Sequence, residues 1–247
     1  MPKYPKLSSL SLFFPAYNEQ ENIGPAVKQA LQVLPTIAKK YEIIVVNDGS
    51  TDETFHRAKA LAKKYKTVRF ITQKNLGYGG ALKRGFKTAK YDWIFFTDSD
   101  LQFNLRELSK FIKHADHNDL VLGYRKNRAE GFRRALLAKM LKIWSRVLLG
   151  FPSNIKDTDC AFKLIHKDVM RAIEPLFSDG AMISTELLLK AYHAGFHYEQ
   201  VGVTHYERRF GNPTGSNLGV IFKAVRETFM LRARLIKRAV AQAVAGV

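Results

Sequence analysis

Three observations in this sequence predict an α/β fold in which a mostly parallel sheet is flanked by helices. Short apolar runs bounded by polar residues, such as Ile43-Ile44-Val45-Val46 and Ile94-Phe95-Phe96, read as strands buried on both faces. Amphipathic helical segments alternate with these runs, which gives right-handed βαβ units. A chain of 247 residues, 46% of them hydrophobic, is long enough to bury one sizeable core. In order, strands are expected over 9–14, 42–46, 68–72, 93–97 and 119–123. Helices between them are expected over 20–37, from a cap at Ser50 or Thr51 to 65, over 78–89 and over 105–115. Pro25 is tolerated near the start of the first helix, where its missing N–H would be unpaired anyway. Beyond Gly123 the pattern is less regular: a basic helix over 131–149, a strand over 161–165, helices over 167–173 and 184–194, and a strand over 197–203. No internal repeat, low-complexity linker or second apolar core interrupts the chain. One domain with an elaborated second half is expected.

The charge balance narrows the partners. Lys and Arg number 40 against 22 Asp and Glu, a net charge of +18. A field of that sign draws in polyanions, meaning nucleic acid, nucleotide phosphates or anionic lipid headgroups. The single cysteine, Cys160, excludes an intrachain disulfide and fits a reducing compartment. The opening Met-Pro-Lys-Tyr-Pro-Lys lacks the apolar core of a signal peptide, and no uncharged apolar run approaches the ~20 residues of a membrane span. A cytosolic protein, or one attached peripherally to the cytoplasmic face of a membrane, is expected.

Ligands of open α/β sheets bind beyond the carboxyl ends of the strands, so the loops there carry the chemistry. Thr97-Asp98-Ser99-Asp100-Leu101-Gln102 ends the fourth strand. If the extended conformation persists, the period of two places Asp98, Asp100 and Gln102 on one side. Two carboxylates this close repel, and a divalent cation held by oxygen ligands relieves that repulsion. A solvated acidic turn has the same local sequence. Asp48 ends the second strand in the same way. Its ionised carboxylate is an acceptor only, which suits a base edge or a ribose hydroxyl; an Asp-Gly turn without a ligand is the alternative. Asn75-Leu76-Gly77-Tyr78-Gly79-Gly80 opens a helix, where glycines let backbone N–H groups approach a phosphate and Lys83 and Arg84 add positive charge. It is not the dinucleotide fingerprint, because Leu82 stands where the last glycine belongs.

Four motifs together resemble a known family. Phe14-Pro15-Ala16-Tyr17-Asn18-Glu19, Val46-Asn47-Asp48-Gly49-Ser50-Thr51-Asp52, Asn75-Leu76-Gly77-Tyr78-Gly79 and Asp98-Ser99-Asp100-Leu101-Gln102 have the order and spacing of the family 2 inverting glycosyltransferases of the GT-A fold. The second half resembles one branch, the dolichyl- or polyprenyl-phosphate sugar synthases. Leu122-Gly123-Tyr124-Arg125, the pair Arg133-Arg134, Asp157-Thr158-Asp159-Cys160-Ala161-Phe162-Lys163 and Arg208-Arg209-Phe210-Gly211 resemble that branch's segments. Three departures touch the acceptor side: Ala138 where many members have Ser, Ala161 where Gly is usual, and the extra Asn212-Pro213-Thr214-Gly215.

The resemblance implies a GT-A catalytic domain over 1–216, followed by a basic amphipathic helix over 217–247. It implies a nucleotide-sugar donor of the GDP-mannose or UDP-glucose type. Asp48 would hold the base or ribose, framed by Pro15, Tyr17 and Glu19, with Gly77 and Lys83 on the phosphate side. Asp98, Asp100 and Gln102 would hold Mg²⁺ or Mn²⁺ against the diphosphate. The implied acceptor, a dolichyl or polyprenyl phosphate, is already anionic, so cations matter more than a general base. Arg125, Arg134 and Arg209 are the candidates, and Asp157 either acts as a base or positions an arginine or the sugar.

A greasy acceptor places the protein at a membrane surface. Leu218, Ile221, Phe222, Val225, Phe229, Ile236 and Val240 recur at helical spacing, with Lys223, Arg226, Arg234, Lys237 and Arg238 mostly opposite, as in an interfacial helix. Packing of this helix on its own domain or on a partner subunit is the alternative. Two other functions stay open on sequence alone. A family 2 transferase acting on a saccharide hydroxyl would need Asp157 as its base. A non-catalytic binder of nucleic acid or anionic membrane would explain the +18 charge but not the strand-end acids. Nucleic acid is not expected as a partner, because no aromatics interleave with the basic residues as a stacking platform.

Overall fold

A computed structural model describes residues 5–126, 146–211 and 218–244, with side chains on the last helix described from 224 to 237. The expected helix over 131–149, with Arg133, Arg134 and Ala138, falls mostly outside them; residues 146–149 are helical.

Among the described residues seven strands form one sheet: β1 (Leu7–Ala16), β2 (Ala38–Asn47), β3 (Val68–Thr72), β4 (Trp93–Thr97), β5 (Leu120–Arg125), β6 (Phe162–His166) and β7 (Tyr198–Val203). Their order is β3-β2-β1-β4-β6-β5-β7. The apolar runs occupy its middle because both faces there are covered: Leu12, Phe13, Ile43, Val45, Ile94, Phe95 and Phe96 are all buried. Helices α1 (Ile23–Ile37), α2 (Thr54–Lys64) and α3 (Gly77–Thr88) make the crossovers. On α1, Ile23, Ala26, Val27, Ala30, Val33, Leu34 and Ile37 form the buried stripe. Phe13 stacks on Phe96 at 5.5 Å and meets the edge of Phe86 at 5.1 Å. A Cβ at Gly85 would lie 2.4 Å from the Phe13 ring, so glycine there lets α3 close onto the sheet.

The strand order reverses between β1 and β4, which are neighbours although α1 to α3 separate them in sequence. That switch point opens a crevice at the carboxyl ends of these two strands. The sheet is not parallel throughout. β6 runs antiparallel to both β4 and β5, with Thr97 opposite Phe162. Because β6 begins where β4 ends, the segment before it, 157–161, arrives beside the Asp98 loop. β7 runs parallel to β5 and ends opposite Arg125, which delivers 204–211 to the same rim.

The two largest boundary shifts have local causes. β2 starts at Ala38, directly after α1, because backbone pairing with Leu7 and Ser9 of β1 continues past the exposed Lys39 and Lys40. The expected helix over 105–115 shrinks to a 3-10 turn at Leu105–Leu108 and α4 (Ser109–Ile112). The Asn118 side chain takes the His114 carbonyl at 3.0 Å, competing with a continued helix ladder. Helices α5 (Lys167–Ile173), α6 (Met182–His193) and α7 (Leu218–Val244) complete the described fold.

On α7 two faces separate. Ala224, Thr228 and Leu231 are buried, and this helix packs beside α6. Phe229 and Ile236, members of the apolar stripe read from the sequence, are 51% and 53% exposed. Phe229 and Ile236 therefore lie off the face that docks on the domain.

Candidate functional site

The rim loops are laced to one another before any ligand is considered. In the loop after β1, Asn18 (φ +56°) accepts from the Thr51 amide at 2.9 Å, while its own amide donates to Ser50 Oγ at 3.0 Å. Ser99 Oγ donates to the Pro15 carbonyl at 3.1 Å, joining the β4 loop to the β1 loop. Pro15 is buried, whereas Tyr17 is 40% exposed at the mouth.

The paired acids lie on a turn rather than on a continued strand. β4 ends at Thr97, and Leu101 at φ +63° bends the chain, so the period of two does not carry through to Gln102. Asp100 Oδ1 accepts from the Gln102 amide at 3.1 Å, an Asx turn. The Gln102 side chain donates to the Tyr206 carbonyl at 2.9 Å, while the Tyr206 amide donates back to the Gln102 carbonyl at 2.8 Å. Gln102 thus fastens the acidic turn to the 205–208 segment.

Asp98 keeps part of its surface in the crevice, and the Tyr78 hydroxyl donates to it. Desolvation, with the Asp100 charge next, pushes its carboxyl up to about 7. Among the described residues no three His, Cys, Asp or Glu side chains close on a common point. The acids form an open pair rather than a full cage.

Glu19 joins this group. Its carboxylate accepts from Asn22 Nδ2 at 2.6 Å and from Arg208 Nη2 at 2.7 Å, and burial raises its pKa. Arg208 Nη1 lies 3.6 Å from Asp100 Oδ2, so one guanidinium bridges two acids. Of the adjacent pair, Arg208 and not Arg209 reaches the carboxylates. Arg209 lines a groove with Gln29, Gln32, Asn104 and Arg106. Adjacent residues on extended chain point to opposite sides, and only the tertiary path of 204–211 decides which one faces inward.

At the other end, Asp48 is buried, and its Oδ1 accepts from Gln73 Nε2 at 2.7 Å and from the Leu76 amide at 3.0 Å. It holds the glycine-rich segment in place. Gly77 takes φ +81° at the head of α3. The Gly79 amide donates to the Asp179 carbonyl at 2.9 Å, and a Cβ there would lie 2.6 Å from the Ser178 carbonyl oxygen. Its missing side chain therefore serves close packing of two segments. Lys83 pairs with Asp179 rather than standing unpartnered.

Arg125 and Asp157 form a buried pair, with Nε to Oδ2 at 2.8 Å and Nη2 to Oδ1 at 3.0 Å. Their side chains are 8% and 4% exposed. Of the two roles open to Asp157, this geometry matches positioning of an arginine. Lys163 carried no expected role. Fully buried, it donates to the carbonyls of Thr158 (3.0 Å) and Cys160, and burial lowers its pKa. It ties down the loop that carries Asp157. A lysine inside the apolar run Phe162-Lys163-Leu164-Ile165 was the available signal.

Comparison with known proteins gives the family and the fold. The model of glycosyl transferase family 2 matches residues 11–173. Dodecaprenyl-phosphate galacturonate synthase of Rhizobium johnstonii is 27% identical over 213 residues, covering 82% of this chain and 60% of that protein. Dolichol-phosphate mannosyltransferase of Pyrococcus furiosus is 32% identical over 194 residues, covering 75% and 53%. The chain thus spans little more than half the length of these two relatives. Glucosyl-3-phosphoglycerate synthase from Mycobacterium tuberculosis, solved with Mn²⁺, UDP and phosphoglyceric acid, superposes with a TM-score of 0.72 at 19% identity, covering 91% of this chain and 78% of that one. That likeness shows a shared GT-A-like fold.

Proposed function

This chain belongs to glycosyl transferase family 2, and on that premise we propose that it transfers one sugar, with inversion, from a nucleotide-sugar to a dolichyl or polyprenyl phosphate. The observation that carries the reading is the open pair Asp98 and Asp100 at the switch point, with Glu19 and Arg208 against it. Relatives named for polyprenyl- and dolichol-phosphate chemistry support the acceptor class.

The pair suits a hard divalent cation. Its donors are oxygens, its like charges are pressed together in a desolvated crevice, and it supplies too few ligands for a full shell. Mg²⁺ in particular is typically held by one or two carboxylates plus substrate phosphates. Asp98 and Asp100, with Gln102 beside them, would hold Mg²⁺ or Mn²⁺. The cation would supply charge neutralisation for the departing nucleoside diphosphate. Asp48 and the loop it holds form the nucleoside end, with Pro15, Tyr17 and Glu19 along the wall and Gly77 and Lys83 at the head of α3.

An inverting transfer to a phosphate acceptor needs a second anion brought up to the first. Arg125, held rigid by Asp157, and Arg208 supply fixed positive charge at that end, and Arg134 joins them in this reading. A guanidinium suits phosphate through its paired N–H donors. The buried Arg125 pair disfavours a second reading, in which Asp157 takes a proton from a saccharide hydroxyl.

The exposed Phe229 and Ile236, with Arg226 and Arg232 on the same helix, support attachment of α7 to the cytoplasmic face of a membrane. No described helix is long and apolar enough to cross one. The test uses labelled GDP-mannose and UDP-glucose, polyprenyl phosphate vesicles and Mn²⁺. Label is expected in the organic phase with one of these donors. Label appearing only on a soluble saccharide would favour the hydroxyl acceptor.

A further inference from the structure

We propose that Glu227 of α7 is a positioning residue for the nucleotide end of the site, acting through the 174–181 segment on the head of α3. This rests on the nucleotide-sugar reading above. The Glu227 carboxylate lies against the turn of that segment: Oε1 accepts from the Asp179 amide at 3.0 Å and the Gly180 amide at 2.9 Å. Oε2 is buried without a hydrogen-bond partner among the described residues, and a Cβ at Gly180 would lie 2.9 Å from it. Helix and turn fit closely.

The segment has two anchors, and they hold different parts. Its base belongs to α6. Glu186 accepts from the Phe177 amide at 2.9 Å and from the Ser178 amide and hydroxyl at 2.8 and 2.7 Å, and Lys190 pairs with Glu186 at 2.7 Å. Its tip, 179–180, is bonded to α7 through Glu227. The tip touches α3 together with the adjoining Ser178 carbonyl, and the hydrogen bond and the ion pair to α3 come from the tip. The Asp179 carbonyl receives the Gly79 amide at 2.9 Å, and the Asp179 carboxylate pairs with Lys83. Tyr78, next to Gly79, donates its hydroxyl to Asp98. A continuous run of neighbours therefore leads from the helix that exposes Phe229 and Ile236 to the acid pair. The steps from Glu227 to Gly79 are short and directional, so a shift of the tip moves Gly79 and its neighbour Tyr78 together.

The test uses the full chain with Glu227→Ala and Glu227→Gln. Calorimetry measures binding of Mn²⁺ with UDP and Mn²⁺ with GDP, and hydrogen exchange follows the amides of 77–83. Glu227→Ala removes the acceptor of two amides and is expected to weaken nucleotide binding by about five- to twentyfold. It should also speed exchange at Gly79. Glu227→Gln keeps Oε1 as an acceptor and should bind within about twofold of the unmodified chain. A purely structural helix contact would lower the melting temperature of Glu227→Ala and leave nucleotide affinity unchanged. Unchanged affinity in Glu227→Ala overturns the proposal, whatever the exchange data show. If the unmodified chain binds neither nucleotide, the donor reading itself fails. Exchange at Gly79 then decides the coupling: faster exchange in Glu227→Ala sustains it, and unchanged exchange overturns it.

Discussion

Two acid–arginine contacts flank the crevice, and they are built differently. Arg125 and Asp157 meet through two parallel hydrogen bonds at 2.8 and 3.0 Å, nearly sealed from solvent. Arg208 is shared between Glu19 at 2.7 Å and Asp100 at 3.6 Å, and its side chain keeps 19% exposure. A sealed bidentate pair holds geometry, since neither member can be replaced without leaving the other charge uncompensated. A stretched, shared contact is open to exchange, because Asp100 is only loosely engaged by the guanidinium. The sealed pair behaves as scaffold and the stretched one as the place where charge can be rearranged. The burial of Glu19 and Asp98, which raises both carboxyls, marks the stretched end as acid-rich.

The sharpest way to break this contrast is Asp100→Ala. It removes an acid from the stretched end and is expected to lower kcat/KM by about 10²- to 10³-fold, as measured by label transfer. Circular dichroism and melting should stay close to the unmodified chain. A melting loss as large as that of a core variant would mean that Asp100 is scaffold after all. Asp157→Ala should do the reverse and cost about 3–5 kcal/mol of stability, because Arg125 loses its buried partner. Chemical denaturation measures this, and a cost below about 1 kcal/mol, the range of surface pairs, would show the pair is not sealed in solution.

Arg208→Ala and Arg209→Ala sharpen the assignment at smaller scale. The first should reduce kcat/KM about tenfold or more, in keeping with a lost charge-assisted contact, and the second by less than about threefold. Equal losses would restore the sequence-based choice of Arg209. A stability measurement concerns the metal. Saturating Mn²⁺ with the bound nucleotide should raise stability by about 2.7 kcal/mol at a hundred times the dissociation constant, and a chelator should reverse it. In Asp100→Ala that increment should vanish. In Arg209→Ala it should persist.

The strand-end acids were legible before any coordinates, because Asp48 and Asp98 directly follow apolar runs whose identity as buried strands is hard to mistake. The partner of each acid was not. Lys83 looked ready for a phosphate, yet the fold gives it Asp179, almost a hundred residues away in sequence. Gly79 resembled a phosphate-loop glycine, yet it is small because Ser178 and Asp179 pack against it. Long-range contacts of this kind leave no local mark in composition or spacing.

The amino-acid order by itself determined the alternation of buried strands and amphipathic helices, and with it the rim on which Asp48, Asp98 and Asp100 stand. Period and apolarity are local properties, so a single chain carries them openly. Only the tertiary structure decided that β6 enters antiparallel, that Arg208 rather than Arg209 turns inward, and that α7 docks by Ala224, Thr228 and Leu231 while Phe229 and Ile236 stay exposed. Those outcomes depend on which distant surfaces become neighbours. That choice is made by the packing of the whole chain, not by any window of it.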